Sequence, residues 1–473
     1  MASSKKTGAV TTQRPVTRVD AIIARLSRLI AEGLVKPGER IPSIRRAAID
    51  QGVSKNTMAE AYDRLVALGL LEARPGSGYV VAAAAAGAAP RPAPHVAEAL
   101  DLVSLLREQM EQHYEVRPGD GRPPPSWMEG SELSAQFEGM KLPRGVGIEY
   151  GYGTVRGFLP LRERIGLSLA ERAIHGSPEQ VLLTHGANHA LDLIMRQFLE
   201  PGDVVFVDDP GYYPLFGKLR LGKARVVGIR RKADGPDLDD LNAKLAVLQP
   251  KLFFIQSLAH NPTGGSLSLS VAYGLLQAAE KHGFHIVEDD PFADILPPNS
   301  PRLAALDQLN RVLYIGTFSK TLSASLRVGY VAASAALTEA LADIKLLTVA
   351  ASSAHAERFV YGLIAGGHYL RHLRRLRGRV EEATARALDD LARIGLPVVP
   401  PHGGGFYLWA EFPAGIDELA LCRDAAQQSI FLAPGTVFSP ERVSRQPAMR
   451  INVAHASHPR FLGFMKKALQ QIE

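Results

Sequence analysis

Between Val181 and Gly316 short apolar runs recur, each closed by a polar or glycine-containing tip. They are Val181–Thr184, Val204–Val207, Arg225–Ile229, Leu252–Gln256, His285–Glu288 and Val312–Gly316. Helix-length amphipathic segments at 188–199, 238–248 and 270–282 separate several of them. A short run that is apolar throughout suits a strand buried on both faces. Strands interleaved with helices return in parallel. The pattern therefore predicts an α/β domain with a mainly parallel sheet. After Ser334 it turns more helical, with later strands expected at Phe406–Phe412 and near Met449–Ala454. No fixed-period repeat is present.

In such sheets ligands gather at the carboxyl ends of the strands, and the tips here carry chemistry. Lys320 follows the last run, in Thr317-Phe318-Ser319-Lys320-Thr321-Leu322-Ser323. A lysine among small residues is easily desolvated, which lowers its pKa and frees a nucleophilic amine. Arg327, seven residues on, can fork a phosphate. Asp289 closes the fifth run, where a buried carboxylate would favour a cationic ring nitrogen. His260-Asn261-Pro262-Thr263-Gly264 and Asp209-Pro210-Gly211-Tyr212 are turns after two other runs. Thr184-His185-Gly186-Ala187-Asn188 opens a helix whose amides and positive end suit an anion. Pyridoxal 5′-phosphate (PLP) needs a lysine, a carboxylate for its pyridine nitrogen, a donor for its ring hydroxyl, a flat side chain and an anion site. The sequence offers a candidate for each.

The first 82 residues have a different character. They hold 13 Lys and Arg against 7 Asp and Glu, while the whole chain of 473 residues is only +6. The remaining residues are thus net neutral, and all excess positive charge sits on the leading arm, as for a nucleic-acid reader. Val19, Ile22, Ile23, Leu26, Leu29 and Ile30 mark one helix face. Ser43 can cap a short helix bearing Arg45 and Arg46, and Ser54 a longer one from Lys55 to Leu68 closed by Gly69. That is helix-turn-helix geometry, with Lys55, Asn56 and Thr57 at the start of the recognition helix. Leu70 to Val81, with Pro75-Gly76-Ser77-Gly78 at its tip, reads as a hairpin wing. Residues 82–94 are Ala, Gly and Pro with one Arg, a semi-extended linker. The expected organisation is a reader at 15–82, a linker at 83–98 and a large domain at 99–473. A second irregular stretch, Arg117 to Trp127, is expected to be a loop around a pocket or interface.

These strings carry two resemblances. Pro37-Gly38, Ile41-Pro42-Ser43-Ile44-Arg45, Val53-Ser54-Lys55-Asn56-Thr57 and Gly76-Ser77-Gly78-Tyr79-Val80 together resemble the GntR winged helix. The resemblance implies that Arg45, Ser54, Lys55, Thr57 and Gly76 contact double-stranded DNA. The Thr317–Tyr330 string resembles the aldimine-lysine motif of fold-type I aminotransferases. Tyr152, Asn188, Tyr212, Asn261, Asp289, Lys320, Arg327 and Arg450 follow in that family's order, across roughly residues 100–473. By resemblance Lys320 forms the internal aldimine, Asn261 holds the ring hydroxyl and Tyr212 stacks on the ring. Ala187, Asn188, Thr317, Ser319 and Arg327 surround the phosphate, and Tyr152 reaches the phosphate of a neighbouring subunit. Arg450 clamps the carboxylate of an amino-acid effector. A GntR reader joined to such a domain is the organisation of the MocR-type regulators, which implies a homodimer, possibly head-to-tail. The expected function is a PLP-dependent regulator answering to PLP or an amino compound. The alternative is an aminotransferase carrying a DNA-binding arm.

One departure bears on that choice. The aminotransferase pattern has Tyr three residues after the pyridine-nitrogen Asp, whereas this chain has Phe292. Loss of a hydroxyl there is expected to weaken catalysis more than binding. Cys422 is the sole cysteine, which rules out an intrachain disulfide and fits a reducing compartment. No uncharged run approaches the ~18 apolar residues of a membrane span, and the first residues lack the apolar core of a signal peptide. A cytoplasmic protein with no membrane partner and no metal is expected. The basic run Arg371 to Arg379 is read as a solvated face or a contact to the reader.

Overall fold

The serines placed at helix starts by the sequence do cap helices. The computed structural model describes residues 18–31, 35–36, 38–74, 78–82, 103–128, 133, 151–396, 398, 404–413, 415–443 and 446–470. Contacts divide the chain into Met1–Pro92 and Ala93–Glu473. In the first unit α1 is Arg18–Ala31, α2 Ile44–Asp50 and α3 Lys55–Ala67, followed by β1, Leu71–Arg74, and β2, Gly78–Val81. Ser43 Oγ accepts the Arg46 amide N–H at 3.3 Å and Ser54 Oγ that of Thr57 at 3.1 Å. Each satisfies an amide that the helix itself cannot. Gly69, at φ +70°, turns the chain out of α3.

Met58, Ala61, Tyr62 and Leu65 of α3 pack against Val19 and Ile22 of α1 and against Leu71 and Val81 of the hairpin. The Tyr62 hydroxyl donates to Pro42 O at 2.9 Å, and its ring meets Tyr79 edge-on at 5.1 Å. The segment before α2 lies along β2, with Gly38 N–H donating to Val81 O and Ile41 N–H to Tyr79 O. Arg45, Ser54, Lys55 and Asn56 are exposed. Gly76 and the linker 83–98 lie outside the described residues.

The second unit is built on an eight-stranded sheet of order β3-β10-β9-β8-β7-β4-β5-β6. Its strands are β3 Val181–Thr184, β4 Val204–Asp209, β5 Arg225–Lys232, β6 Gly235–Pro236, β7 Pro250–Ile255, β8 His285–Asp289, β9 Val312–Thr317 and β10 Gly329–Ala332. Pairs β4–β5, β4–β7, β7–β8 and β8–β9 are parallel. β10 is antiparallel to both β3 and β9. The sequence pattern anticipates every long strand but not β10. It is no shorter than β3, but it continues the lysine string with no turn between to mark a new strand. Yet β10 folds the loop 318–328 back over the mouth of β3. Gly329 permits this, because a Cβ there would lie 2.8 Å from Gly186 Cα.

A smaller antiparallel sheet of order β11-β13-β12 follows, from Tyr407–Glu411, Ala433–Pro434 and Ala448–Asn452. Helices His368–Arg393, Glu418–Gln427 and Pro459–Gln470 surround it, with Leu408, Ile451 and Phe461 in their common core. The irregular stretch after residue 115 is a strap bound to this sheet. Phe431 N–H donates to Val116 O at 2.8 Å, Gly119 N–H to Phe431 O at 2.9 Å and Asn452 N–H to Pro118 O at 2.7 Å. The basic run on the long helix is only partly a solvated face. Arg377 Nε donates to Ile295 O at 3.0 Å and Arg379 Nη1 to Trp127 O at 2.7 Å, so two of its cations clasp neighbouring backbone.

Ser54→Ala removes the cap of α3 and should cost about 1 kcal/mol of local stability. Amide hydrogen exchange across residues 55–67 of the full chain should quicken, with exchange in the large sheet unchanged.

Candidate functional site

Three consecutive acids end β8, and each meets a different environment. Glu288 accepts the amides of Leu303 and Ala304 at 2.9 and 2.8 Å and anchors the helix that starts there. Asp290 accepts from Arg302 Nε at 2.7 Å and from the Tyr314 hydroxyl at 2.9 Å. Asp289 Oδ2 accepts from Gln256 Nε2 at 2.8 Å, and Oδ1, also buried, has no partner. Burial pushes the Asp289 carboxyl up to about 6, while the Gln256 bond pulls the other way. A buried carboxylate with one open oxygen is poised to receive a cationic donor.

Lys320 lies on the loop after β9. Its Nζ donates to Gly121 O of the strap at 2.6 Å. Burial, reinforced by the Arg450 charge, lowers its pKa to about 8. Arg450 is carried by β13 and is 1% exposed. Its Nη1 donates to Asn261 Oδ1 at 2.8 Å and its Nη2 to Gly119 O at 2.6 Å, while Nε has no partner. Tyr407 and Phe438 offer ring faces 4.9 and 5.0 Å from the guanidinium carbon. The Tyr407 hydroxyl also donates to Gly121 O, at 2.9 Å. Lysine and arginine, from different sheets, thus both bind carbonyls of one short strap.

The remaining candidates gather around these. Asn261 N–H donates to Gln256 Oε1 at 2.8 Å, which ties its turn to the end of β7. Tyr212 precedes the helix Tyr213–Leu221 and lines a small buried cavity with Asp208, Gln256, His260 and Asp289. Burial raises its phenol above the ordinary range. Ala187 and Asn188 begin the helix Ala187–Phe198, and Arg327 Nη2 donates to His185 O at 2.8 Å beside that helix start. Gly186 suits that position through its φ of +75°, and a Cβ there would stand 2.9 Å from Arg327 Nη2, so the guanidinium would have to move. Thr317 Oγ1 accepts from the Ser319 amide at 3.2 Å at the end of β9. Phe292 is buried with its ring 5.2 Å from Phe406 and 5.6 Å from Tyr407, in an aromatic cluster. Tyr152 is not brought into the site within the chain and is 91% exposed.

In the reader, Ser54 Oγ and Thr57 Oγ1 lie 2.7 Å apart, so both hydroxyls take part in the cap. Sequence reasoning passed over Gln256, Tyr407 and the strap carbonyls of Gly119 and Gly121. Gln256 had one available signal, a polar residue closing an apolar strand. A backbone carbonyl has none.

The model for aminotransferase class I and II matches residues 147–461. The chain belongs to the aminotransferase class I and II family. The model for bacterial regulatory proteins of the gntR family matches residues 18–81, and the fusion of the two is the MocR-type architecture. A probable rhizopine catabolism regulatory protein, MocR, of Rhizobium meliloti is 28% identical, over 87% of this chain and 85% of that protein. An HTH-type transcriptional regulator of Bacillus subtilis is 27% identical over 92% of each chain. Among solved structures, the kynurenine aminotransferase of Pyrococcus horikoshii aligns with a TM-score of 0.69 at 25% identity, covering 79% of this chain and 94% of that one. LysN, the α-aminoadipate aminotransferase of Thermus thermophilus, aligns with a TM-score of 0.69 at 26% identity, covering 80% and 98%. The family's fold implies PLP. Asp289 Oδ1, buried and unpartnered, and the glycine-floored cradle of Gly186 under Arg327 both fit that group.

Asp289 carries the cost of a buried ionisable group. Its folded pKa lies above the ordinary carboxylate value, so between about pH 4 and 6 the folded state binds the extra proton and stability falls as pH rises. Asp289→Asn should therefore stabilise the cofactor-free chain at pH 7 by roughly 2 kcal/mol. The gain in urea midpoint should shrink toward pH 4, and PLP binding should be lost.

Proposed function

We propose that this MocR-type protein is a cytoplasmic DNA-binding regulator that holds PLP on Lys320 and answers to PLP or to an amino compound with a carboxylate. The observation that carries the reading is the shared strap: Lys320 and Arg450 donate to Gly121 O and Gly119 O, two residues apart. PLP bound to a lysine supplies an electrophilic imine carbon that exchanges one amine for another.

The chain's own residues divide the remaining work. Asp289 would hold the proton on the pyridine nitrogen, Asn261 would take the ring hydroxyl and Tyr212 would offer its flat face to the ring. Ala187, Asn188, Thr317, Ser319 and Arg327 take the phosphate. Tyr152, exposed on its own chain, serves the phosphate site of a second copy in a homodimer. Arg450 takes the carboxylate of the effector in a fork, and to do so gives up Gly119 O. Lys320 likewise releases Gly121 O when its nitrogen is used. Both events loosen residues 116–122, which follow the linker and the helix Val103–Glu111 in the chain. Arg117 ties that helix to the strap, donating to Glu108 Oε1 at 2.7 Å and to Asp120 Oδ2 at 3.0 Å. A shift of the strap thereby biases the linker and the paired readers. Moving a two-state mixture from 1:99 to 99:1 requires about 5.5 kcal/mol of differential affinity. Imine exchange with a charge-assisted fork is of that order. Arg45, Ser54, Lys55, Thr57 and Gly76 meet the operator DNA. Phe292 favours sensing an amine over turning it over.

Borohydride treatment of the PLP-loaded protein should fix the cofactor to Lys320. Titration with a panel of amino compounds should then give stable spectral changes that track DNA affinity. Label elsewhere than Lys320 overturns the cofactor assignment. Steady turnover with a keto acid, without any change in DNA binding, makes the protein an aminotransferase with a DNA-binding arm instead. For the reader, the slope of DNA affinity against salt should fall by about 0.9 in Lys55→Ala, one phosphate contact's worth. An unchanged slope takes Lys55 off the DNA.

A further inference from the structure

Gln256 ends β7 and is 6% exposed. Its side-chain amide spans two parts of the site. The Asn261 backbone N–H can only donate, so the amide oxygen must face it, and that contact is 2.8 Å. The amide nitrogen is thereby turned toward Asp289 Oδ2, at 2.8 Å. The residue's own carbonyl accepts from Arg231 Nη2 at 3.3 Å, and Arg231 is paired with buried Asp208. The side chain is fixed at both ends and its backbone is held from behind.

Asp289 has no other hydrogen-bond donor among the described residues. The ionisable groups around it do not replace this bond. Lys320 Nζ is engaged with Gly121 O, and Asp290 with Arg302 and Tyr314. Asp208 is held below its ordinary value by the Arg231 charge despite burial. His260 is pushed down to about 4 by burial and is neutral near pH 7. Burial keeps the Tyr212 and Tyr407 phenols protonated. The Lys320 charge also favours the ionised form, but the Gln256 bond does so more strongly, and it is the one hydrogen bond this buried carboxylate receives among the described residues.

We infer that Gln256 is the positioning residue of the cofactor site: it keeps Asp289 ionised, aims Asp289 Oδ1 at a pyridinium nitrogen, and locks that carboxylate to the turn bearing Asn261. The inference rests on the PLP reading and adds to it a residue that touches neither PLP nor effector. A neutral amide suits this role. It stabilises the carboxylate without neutralising it, so the charge remains available to the ring.

The test uses pyridoxamine 5′-phosphate, whose amine makes no covalent bond to Lys320, so no imine formation enters the measured affinity. Its affinity for the full-length protein is measured by calorimetry across pH 5 to 8, for wild type and for Gln256→Met, which keeps the volume and removes both polar atoms. Affinity should weaken on the acid side as Asp289 takes a proton. In Gln256→Met that limb should move up by about one pH unit, with about tenfold weaker binding near pH 5 and about twofold weaker binding near pH 7. Thermal unfolding and Gln256→Leu check that any loss is not a loss of fold. A folded Gln256→Met with the wild-type limb overturns the inference. Wild-type protein that binds neither PLP nor pyridoxamine 5′-phosphate overturns the PLP reading itself.

Discussion

A guanidinium removed from water must find acceptors, since an unpaired buried charge costs several kcal/mol. Arg450, almost wholly inside the protein, meets that demand with Asn261 from the large sheet and Gly119 from the strap. Much of the site's arrangement follows. The small sheet carrying Arg450 is bound to the large sheet's Asn261 turn, and the strap is drawn between them. Asn452, two residues along β13, reinforces the strap by donating to Asp120 O and Arg122 O at 2.9 and 2.8 Å. An anionic ligand able to replace those acceptors competes with the protein's own backbone. A site that must release its own chain to bind is well suited to report binding.

The acids that end β8 show how the fold separates structural charge from functional charge. Glu288 anchors a helix start and Asp290 Oδ2 takes an Arg–Tyr pair; Asp289 and Asp290 each keep one buried oxygen without a partner, but of the three acids only Asp289 lines the cavity with Tyr212, Gln256 and His260. Burial raises Glu288 to about 7 and Asp289 to about 6, so the strand end stores unfavourable charge. Such a cost is tolerated where a ligand repays it.

Legibility in the sequence followed periodicity and composition. The parallel strands announced themselves through apolar runs, and α1 to α3 through caps and spacing. The candidate side chains Lys320, Asp289, Asn261, Tyr212 and Arg327 stood in strings that resemble a family, and the fold places them at strand ends. β10 stayed hidden because the lysine string runs straight into it with no turn to mark a new strand, and Gln256 because nothing in sequence ties it to Asp289 33 residues later. The strap was legible as an irregular loop beside a pocket, but its part in the site was not, because that part rests on carbonyl oxygens, which every residue possesses. Phe292 was legible as a missing hydroxyl, but not as a member of an aromatic cluster with Phe406 and Tyr407.

The sequence by itself determined the two-part organisation, the mainly parallel sheet and the choice of candidate side chains. These depend on local pattern, on residue chemistry and on where the charge is placed. Tertiary structure alone decided which acid of three faces the site, which amide supports it and which backbone carbonyls hold Lys320 and Arg450. Those are questions of approach between segments up to 331 residues apart, such as Gly119 and Arg450. Only packing determines which polar groups lose water together and must therefore satisfy one another.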